Sequence, residues 1–226
     1  LYAGNDGTGR SITGVGFQPD FVWIKDRSNA INHSLFDAVR GATKELNSNA
    51  TTAEETEADM LTAFGTDGFT LNSAGGVNGN NNNYASWNWK AGSSNTSVSA
   101  SGSGNGAYNA CTHRANTTAG FSIVQYTGRN GDIGNGNETK VTHGLGVKPD
   151  FVIIKRTDTS ETWVVRGGGP PLQSDYHIQL NTTDARSGSY YVGQAQNDNA
   201  TYFVVGNSGR TNQQGGTYIA YVFANK

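Results

Sequence analysis

These 226 residues predict an all-β fold: two tandem β-sandwich modules, jelly-roll or immunoglobulin-like, with one short helix in the first. Three observations predict it. The chain repeats itself: Gly16–Lys25 reads GFQPDFVWIK and Gly146–Lys155 reads GVKPDFVIIK, with seven of ten positions identical at an offset of 130. Apolar residues come in short β-branched and aromatic runs or in strict alternation, the period of strands. Thirty-one glycines and many asparagines punctuate these runs with turn signals.

The repeat is an internal duplication. Past an insertion around GGGPPLQ the offset becomes 134 and holds to the end: Leu46-Asn47 falls on Leu180-Asn181, Phe69 on Phe203 and Tyr84 on Tyr218. A unit of about 100 residues is a whole domain, too long for a solenoid or propeller repeat. The expected boundaries are residues 1–92 for the first sandwich, 93–119 for a Ser/Asn/Gly-rich linker with one candidate strand at Thr96–Ser99, and 120–226 for the second sandwich. The second copy opens with the strand-like run Gly120–Tyr126, where the first has only Leu1–Gly4. The first copy is therefore expected to lack its first strand, and the chain to be a piece of a longer protein.

The elements follow in order. Phe21–Ile24 and Phe151–Ile154 are continuous apolar runs after Gly-x-Gly-x-x-Pro-Asp turns, and such runs bury both faces. Ser34–Val39 and Thr162–Val165 read as the next strand, and Gly68–Leu71 and Tyr202–Val205 as another. Thr52 to Phe64 reads as the helix: Thr52 with Glu55 makes a capping box, acidic residues fill the first turn, and Met60, Leu61 and Phe64 form an apolar edge. The second copy lacks that pattern. In the last strand Ala85, Trp87 and Trp89 alternate with Tyr84, Ser86, Asn88 and Lys90, and Ile219, Tyr221 and Phe223 take the first set in the second copy. The bulk of the tryptophan face assigns it to the core, which counts against a sugar-stacking platform there.

Composition excludes several classes. A net charge of −2 with scattered Lys and Arg gives no footprint for nucleic acid, and no apolar run approaches the ~20 residues of a membrane-spanning helix. One cysteine, Cys111, allows no intrachain disulfide and no cysteine-based zinc site; it reads as a small, half-buried side chain. The pairs Gly14-x-Gly16 and Gly144-x-Gly146 run into Pro19 and Pro149 and then a strand, the reverse of a dinucleotide site, so they are turns. The histidines His33, His113, His143 and His177 stand too far apart for ligand spacing. Asp20, Asp26, Asp37 and Asp150 could supply a carboxylate pair, but Asp20 and Asp150 follow a proline in the repeated turn, where backbone capping explains them. Asn130 to Glu138 lacks EF-hand spacing and reads as a plain turn rather than a calcium loop. No catalytic residue, metal or cofactor is expected, and the chain is not read as an enzyme. For a glycan, Tyr190 and Tyr191 with Arg186 and Gln194 form the best cluster outside the repeated framework, aromatics beside planar hydrogen-bonding groups. The competing reading is a strand with one core and one surface tyrosine.

The ordered set GFQPDFVWIKDRS, HSLFDAVRG, LNSNATTAE, TDGFTL and YASWNWKAG, continued by ANTTAGFSIVQYTG, HGLGVKPDFVIIK, LNTT and GGTYIAYVFA, resembles an uncharacterised tandem repeat of marine bacteriophage virion proteins. Those proteins are commonly labelled tail-fibre or structural, and the resemblance covers nearly the whole chain. It implies a module strung in series on the surface of an extracellular particle, and it brings no catalytic residues. The expected function is a virion structural protein, a tail-fibre or appendage segment that adsorbs to the host surface. Its expected partners are other virion subunits, with a homotrimer as the assembly, and a host-surface glycan. The alternatives are a capsid decoration or cement protein and a lectin-like module or polysaccharide depolymerase. The GGGPPLQ insertion and the missing acidic helix set the second copy apart.

Overall fold

Short apolar runs bounded by Gly and Asn turns become antiparallel strands, and the described chain is nearly all β. The structure, a computed structural model, describes residues 1–129, 138–167, 176–188 and 192–225. It divides into two units, Leu1–Ala91 and Gly92–Lys226.

In the first unit the strands are β1 (Tyr2–Ala3), β2 (Arg10–Thr13), β3 (Phe21–Asp26), β4 (His33–Asp37), β5 (Gly41–Leu46), β6 (Glu55–Thr56), β7 (Leu61–Gly65), β8 (Gly68–Leu71) and β9 (Asn83–Trp89), with a four-residue helical turn, α1 (Gly75–Asn78), between the last two. One sheet runs in the order β1-β9-β3-β4-β5-β6 and a smaller one in the order β2-β8-β7. The core lies between them: Val22, Ile24, Phe36 and Tyr84 from the larger sheet meet Leu61, Phe69 and Leu71 from the smaller. Removing these side chains from water is the main stabilising term.

Two expectations fail here. The core face of β9 carries Tyr84, not the tryptophans: Trp23 and Trp87 are register partners on β3 and β9, and both point away from the face that buries Val22 and Ile24. Bulk misled because a fully buried neighbour, not size, decides which side of a strand is core. The helix expected over Thr52 to Phe64 is also absent. Glu55–Thr56 pairs with β5, and Leu61–Gly65 forms a hairpin with β8 through the turn before Gly68. A bulge between Leu61 and Ala63 breaks the alternation that would have marked a strand. Burying Leu61 in the core outweighs the local capping signals.

The turn at α1 is held by two tyrosines. Tyr2 donates its hydroxyl to Val77 O at 2.7 Å; Tyr84 donates to Gly75 O at 2.6 Å and accepts from Gly79 N at 2.8 Å. Asn78, fully buried, accepts from Arg10 Nη1 at 2.7 Å and donates to Gly7 O at 2.9 Å.

The second unit has β10 (Thr96–Val98), β11 (Cys111–Asn116), β12 (Phe121–Thr127), β13 (Thr139–Thr142), β14 (Phe151–Arg156), β15 (Val164–Gly167), β16 (Tyr176–Gln179), β17 (Ser187–Gly188), β18 (Tyr202–Val205) and β19 (Thr217–Phe223), with a 3-10 turn at Ala195–Asn197. Among the described residues one sheet runs β10-β11-β12-β19-β14-β15-β16-β17, and β13 pairs with β18. Val124, Tyr126, Val152, Ile154, Val164, Tyr218, Ala220 and Val222 from the large sheet pack with Val141, Phe203 and Val205 from the pair.

Within residues 93–119, expected as a linker, the candidate strand at Thr96–Ser99 forms as β10, and an unexpected strand, β11, pairs with β12 along its whole length. The stretch is polar on its open side, which hides the buried Cys111, Asn109 and His113 that tie it to the unit. Tyr126 donates to Thr211 O at 2.6 Å; Tyr218 donates to Gly209 O and accepts from Gln213 N, both at 2.8 Å. Buried Asn212 accepts from Arg129 N at 2.9 Å and donates to Thr139 Oγ1 at 3.1 Å.

Candidate functional site

The outward face of the first unit's larger sheet carries a cleft of about 320 Å³ lined by Trp23, His33, Trp87 and Trp89. Each side chain is placed by register. Trp23 on β3 faces Trp87 on β9, with centroids 6.4 Å apart and planes at 71°, and Trp89 stacks on Phe21 at 5.0 Å. Trp87 is 49% exposed, a large share for an indole held on a central strand.

Trp23 Nε1–H donates to His33 Nδ1 at 2.8 Å, so the imidazole keeps its proton on Nε2, a tautomer assigned from this bond. Partial burial, with Lys25 nearby, holds the His33 pKa below its ordinary value, and the ring is neutral at pH 7. The backbone of His33 is clamped by Asn49 Oδ1 on its N–H at 3.0 Å and by Asn47 Nδ2 on its carbonyl at 3.0 Å. Asn32 bridges the two asparagines. The result is a rigid, uncharged aromatic shelf with one imidazole donor at its edge. Flat indole faces of this kind take the C–H faces of a pyranose or another apolar ring. Sequence reasoning could have found it by noting that Trp23 must oppose its core neighbours Val22 and Ile24.

Of the sequence-predicted glycan cluster, the structure describes Arg186 and Gln194. Tyr190 and Tyr191 lie outside the described residues. The Arg186 guanidinium sits 4.1 Å over the Tyr176 ring, and Gln194 N donates to Glu138 Oε1 at 2.5 Å. The loop weighed for calcium lies outside the described residues except for Glu138, which is engaged by Gln194 and Asn197.

The candidate carboxylates act as caps. Asp20 Oδ2 accepts from Ala91 N at 2.8 Å, Asp26 Oδ1 from Ser28 N and Asn29 N, Asp37 Oδ1 from Val39 N and Arg40 N, and Asp150 from Asn225 N. Asp37 also pairs with the Arg40 guanidinium at 2.5 Å. Gly14 and Gly16, with φ of 86° and 84°, donate their N–H groups to the carboxylate of Asp67, the turn the sequence predicts, and these bonds hold the Asp67 pKa low.

His143 is fully buried, accepting from Leu145 N through Nδ1. Cys111 is buried rather than half-buried; its thiol lies 3.6 Å from Thr142 O, and burial pushes its pKa up to about 11. Glu45, Glu55 and Glu57 bring carboxylate oxygens within 4.8 Å of one another, with Glu45 buried and its pKa raised by desolvation.

The model of one family, described as a domain of unknown function (DUF7483), matches residues 1–226. No curated protein and no solved structure matches the chain.

Proposed function

The chain belongs to the DUF7483 family, and we propose that it is a bacteriophage virion structural protein: a tail-fibre or appendage segment of two duplicated β-sandwich modules that adsorbs to host-surface glycan. The observation that carries the adsorbing role is the exposed aromatic cleft of Trp23, His33, Trp87 and Trp89. A neutral, rigid shelf with a single donor suits weak stacking on a sugar ring, and arrays of weak sites gain strength when displayed together. The virion setting rests on the resemblance of the whole ordered sequence. Adsorption without catalysis fits the engagement of Asp20, Asp26, Asp37 and Asp150 in capping.

Duplication is supported by matching bonds in each unit. The Tyr84 bonds to Gly75 and Gly79 correspond, 134 residues on, to those of Tyr218 with Gly209 and Gln213. Buried Asn78 and Asn212 stand at the same offset.

The test is affinity electrophoresis of the chain in gels carrying a β-glucan, an α-mannan or lipopolysaccharide O-chains. Retardation in at least one gel, lost in Trp87→Ala with the melting temperature kept, supports the reading. Equal mobility of both proteins in every gel overturns the glycan role. Electron cryomicroscopy of the particle tests the setting: density along a fibre is expected, and density tiling the head would assign a decoration role.

A further inference from the structure

We propose that the cleft of Trp23, His33, Trp87 and Trp89 is a cage for a quaternary ammonium group, and that its ligand is the phosphocholine substituent of a surface glycan. The inference rests on the adsorption reading above and names the part of the glycan that this site takes.

The cage is built by register. Trp87 on β9 lies directly opposite Trp23 on β3, and His33 on β4 lies diagonal to Trp23, opposite Lys25. Trp23 is therefore flanked by a ring on each neighbouring strand. Its plane stands at 71° to Trp87 and 72° to His33, with centroids 6.4 Å and 5.8 Å away. Trp89 adds a third indole to the lining. Rings set this steeply enclose one small space from several sides. Its volume of about 320 Å³ is near the lower end for a ligand pocket, the scale of a headgroup.

Exclusion narrows the chemistry. No charged side chain lines the cleft, and the nearby Lys25 ammonium donates to Asn29 O at 3.1 Å and Ile31 O at 2.9 Å. An anion finds no counter-charge inside. His33 Nδ1 already accepts from Trp23 Nε1–H at 2.8 Å, so the lining side chains leave no acceptor open. Hydroxyls and primary ammonium groups would lose their hydrogen bonds to water on entry. A bare hexose therefore stacks only weakly here. A quaternary ammonium needs no hydrogen bond. Its diffuse positive charge is drawn to π faces, most strongly to indole, and the neutral imidazole adds no repulsion. The phosphodiester beside it stays in solvent at the rim and supplies an acceptor for the His33 Nε2–H. A lipid bears the same headgroup. In the first unit, however, only Leu1 and Ile31 join Trp87 as exposed large apolar side chains, too few to enter a bilayer.

The test follows the indole N–H resonances of the 15N-labelled chain, with Trp163, fully buried in the second unit, as internal control. Choline chloride should shift the Trp23, Trp87 and Trp89 signals saturably and leave Trp163 in place. The uncharged isostere 3,3-dimethylbutan-1-ol and the primary amine ethanolamine should each bind about fivefold or more weakly. Trp87→Ala should abolish the shifts at Trp23 and Trp89, and Trp87→Phe should keep part of the affinity. Equal binding of choline and its uncharged isostere overturns the proposal, since burial alone would then explain it. So does the absence of any shift with choline. For the carrier, a gel of phosphocholine-substituted polysaccharide should retard the chain, and free choline should reverse this. Pelleting with phosphatidylcholine vesicles, without retardation in that gel, would overturn the glycan as carrier. Unmoved resonances beside Trp87-dependent retardation by unsubstituted glycans would sink this inference and leave the adsorption reading standing. Choline shifts without retardation in any gel would overturn the adsorption reading and leave the ammonium cage.

Discussion

The rings of Tyr2 and Tyr84 stack with centroids 5.1 Å apart and planes 14° from parallel, and both hydroxyls close on one turn, at Val77 O and Gly75 O. Tyr126 and Tyr218 repeat the arrangement at 5.0 Å and 15°, reaching Thr211 O and Gly209 O. Burial raises the pKa of all four phenols, Tyr218 to about 12, so they remain neutral donors. Tyr84→Phe strands Gly75 O and Gly79 N and should cost about 1–3 kcal/mol in urea denaturation, as should Tyr218→Phe in the second unit. A loss within error for both would mean that water replaces the hydroxyls freely.

The Arg166–Asp198 pair is buried, with Nη1 to Oδ2 at 2.9 Å and Nη2 to Oδ1 at 3.2 Å. Arg166 Nη2 also donates to Val204 O at 2.5 Å. Asp198→Ala leaves the guanidinium uncompensated and should cost about 3–5 kcal/mol; the double change to Arg166→Met and Asp198→Leu should recover part of that. Chemical denaturation of both variants checks the order.

Glu45 is buried beside Glu55 and Glu57, and desolvation, ahead of the like charges, raises its pKa in the fold. Its ionised form is therefore destabilising at neutral pH, and the penalty disappears as pH falls through the folded and then the unfolded value. Glu45→Gln should melt a few degrees higher than the parent at pH 7.5, and the gain should vanish near pH 4. A lower melting point at pH 7.5 would mean that its bonds with Ser34 and Asn47 outweigh the charge.

All four histidines have pKa values lowered, in each case chiefly by burial. The unfolded chain then binds more protons below about pH 6.5, so their share of stability is lost as pH falls from there through the folded values. His33 has a local reporter, because protonating Nδ1 breaks its bond with Trp23. The Trp23 indole N–H resonance should shift as pH drops below the ordinary histidine range, and it should stay fixed in His33→Gln. A resonance equally pH-dependent in both would refute the assignment.

Much of the framework was legible because it follows from short-range rules. The runs around Phe21–Ile24 and Phe151–Ile154 became central strands, and the Gly14-x-Gly16 turn formed as predicted. The failures share one cause, reliance on a local signal where tertiary partners decide. Thr52 to Phe64 carries helix caps, yet Leu61 has a strand partner in Leu71. Residues 93–119 look like a linker, yet Cys111 through Asn116 pair with β12. The tryptophan shelf was missed for the same reason: its facing is fixed by which β3 residues meet the smaller sheet, and β9 alone does not encode that.

Cys111 turns the second unit into its own unfolding clock. A lone thiol that is buried, and protonated up to about pH 11, is shut to alkylating and disulfide reagents until β11 leaves the sheet. Pulse labelling with a maleimide in rising denaturant would then count opening events at one known place, free of background from any other thiol. The chain can also be handled in air without reductant, since intermolecular crosslinking at this position waits for the same opening.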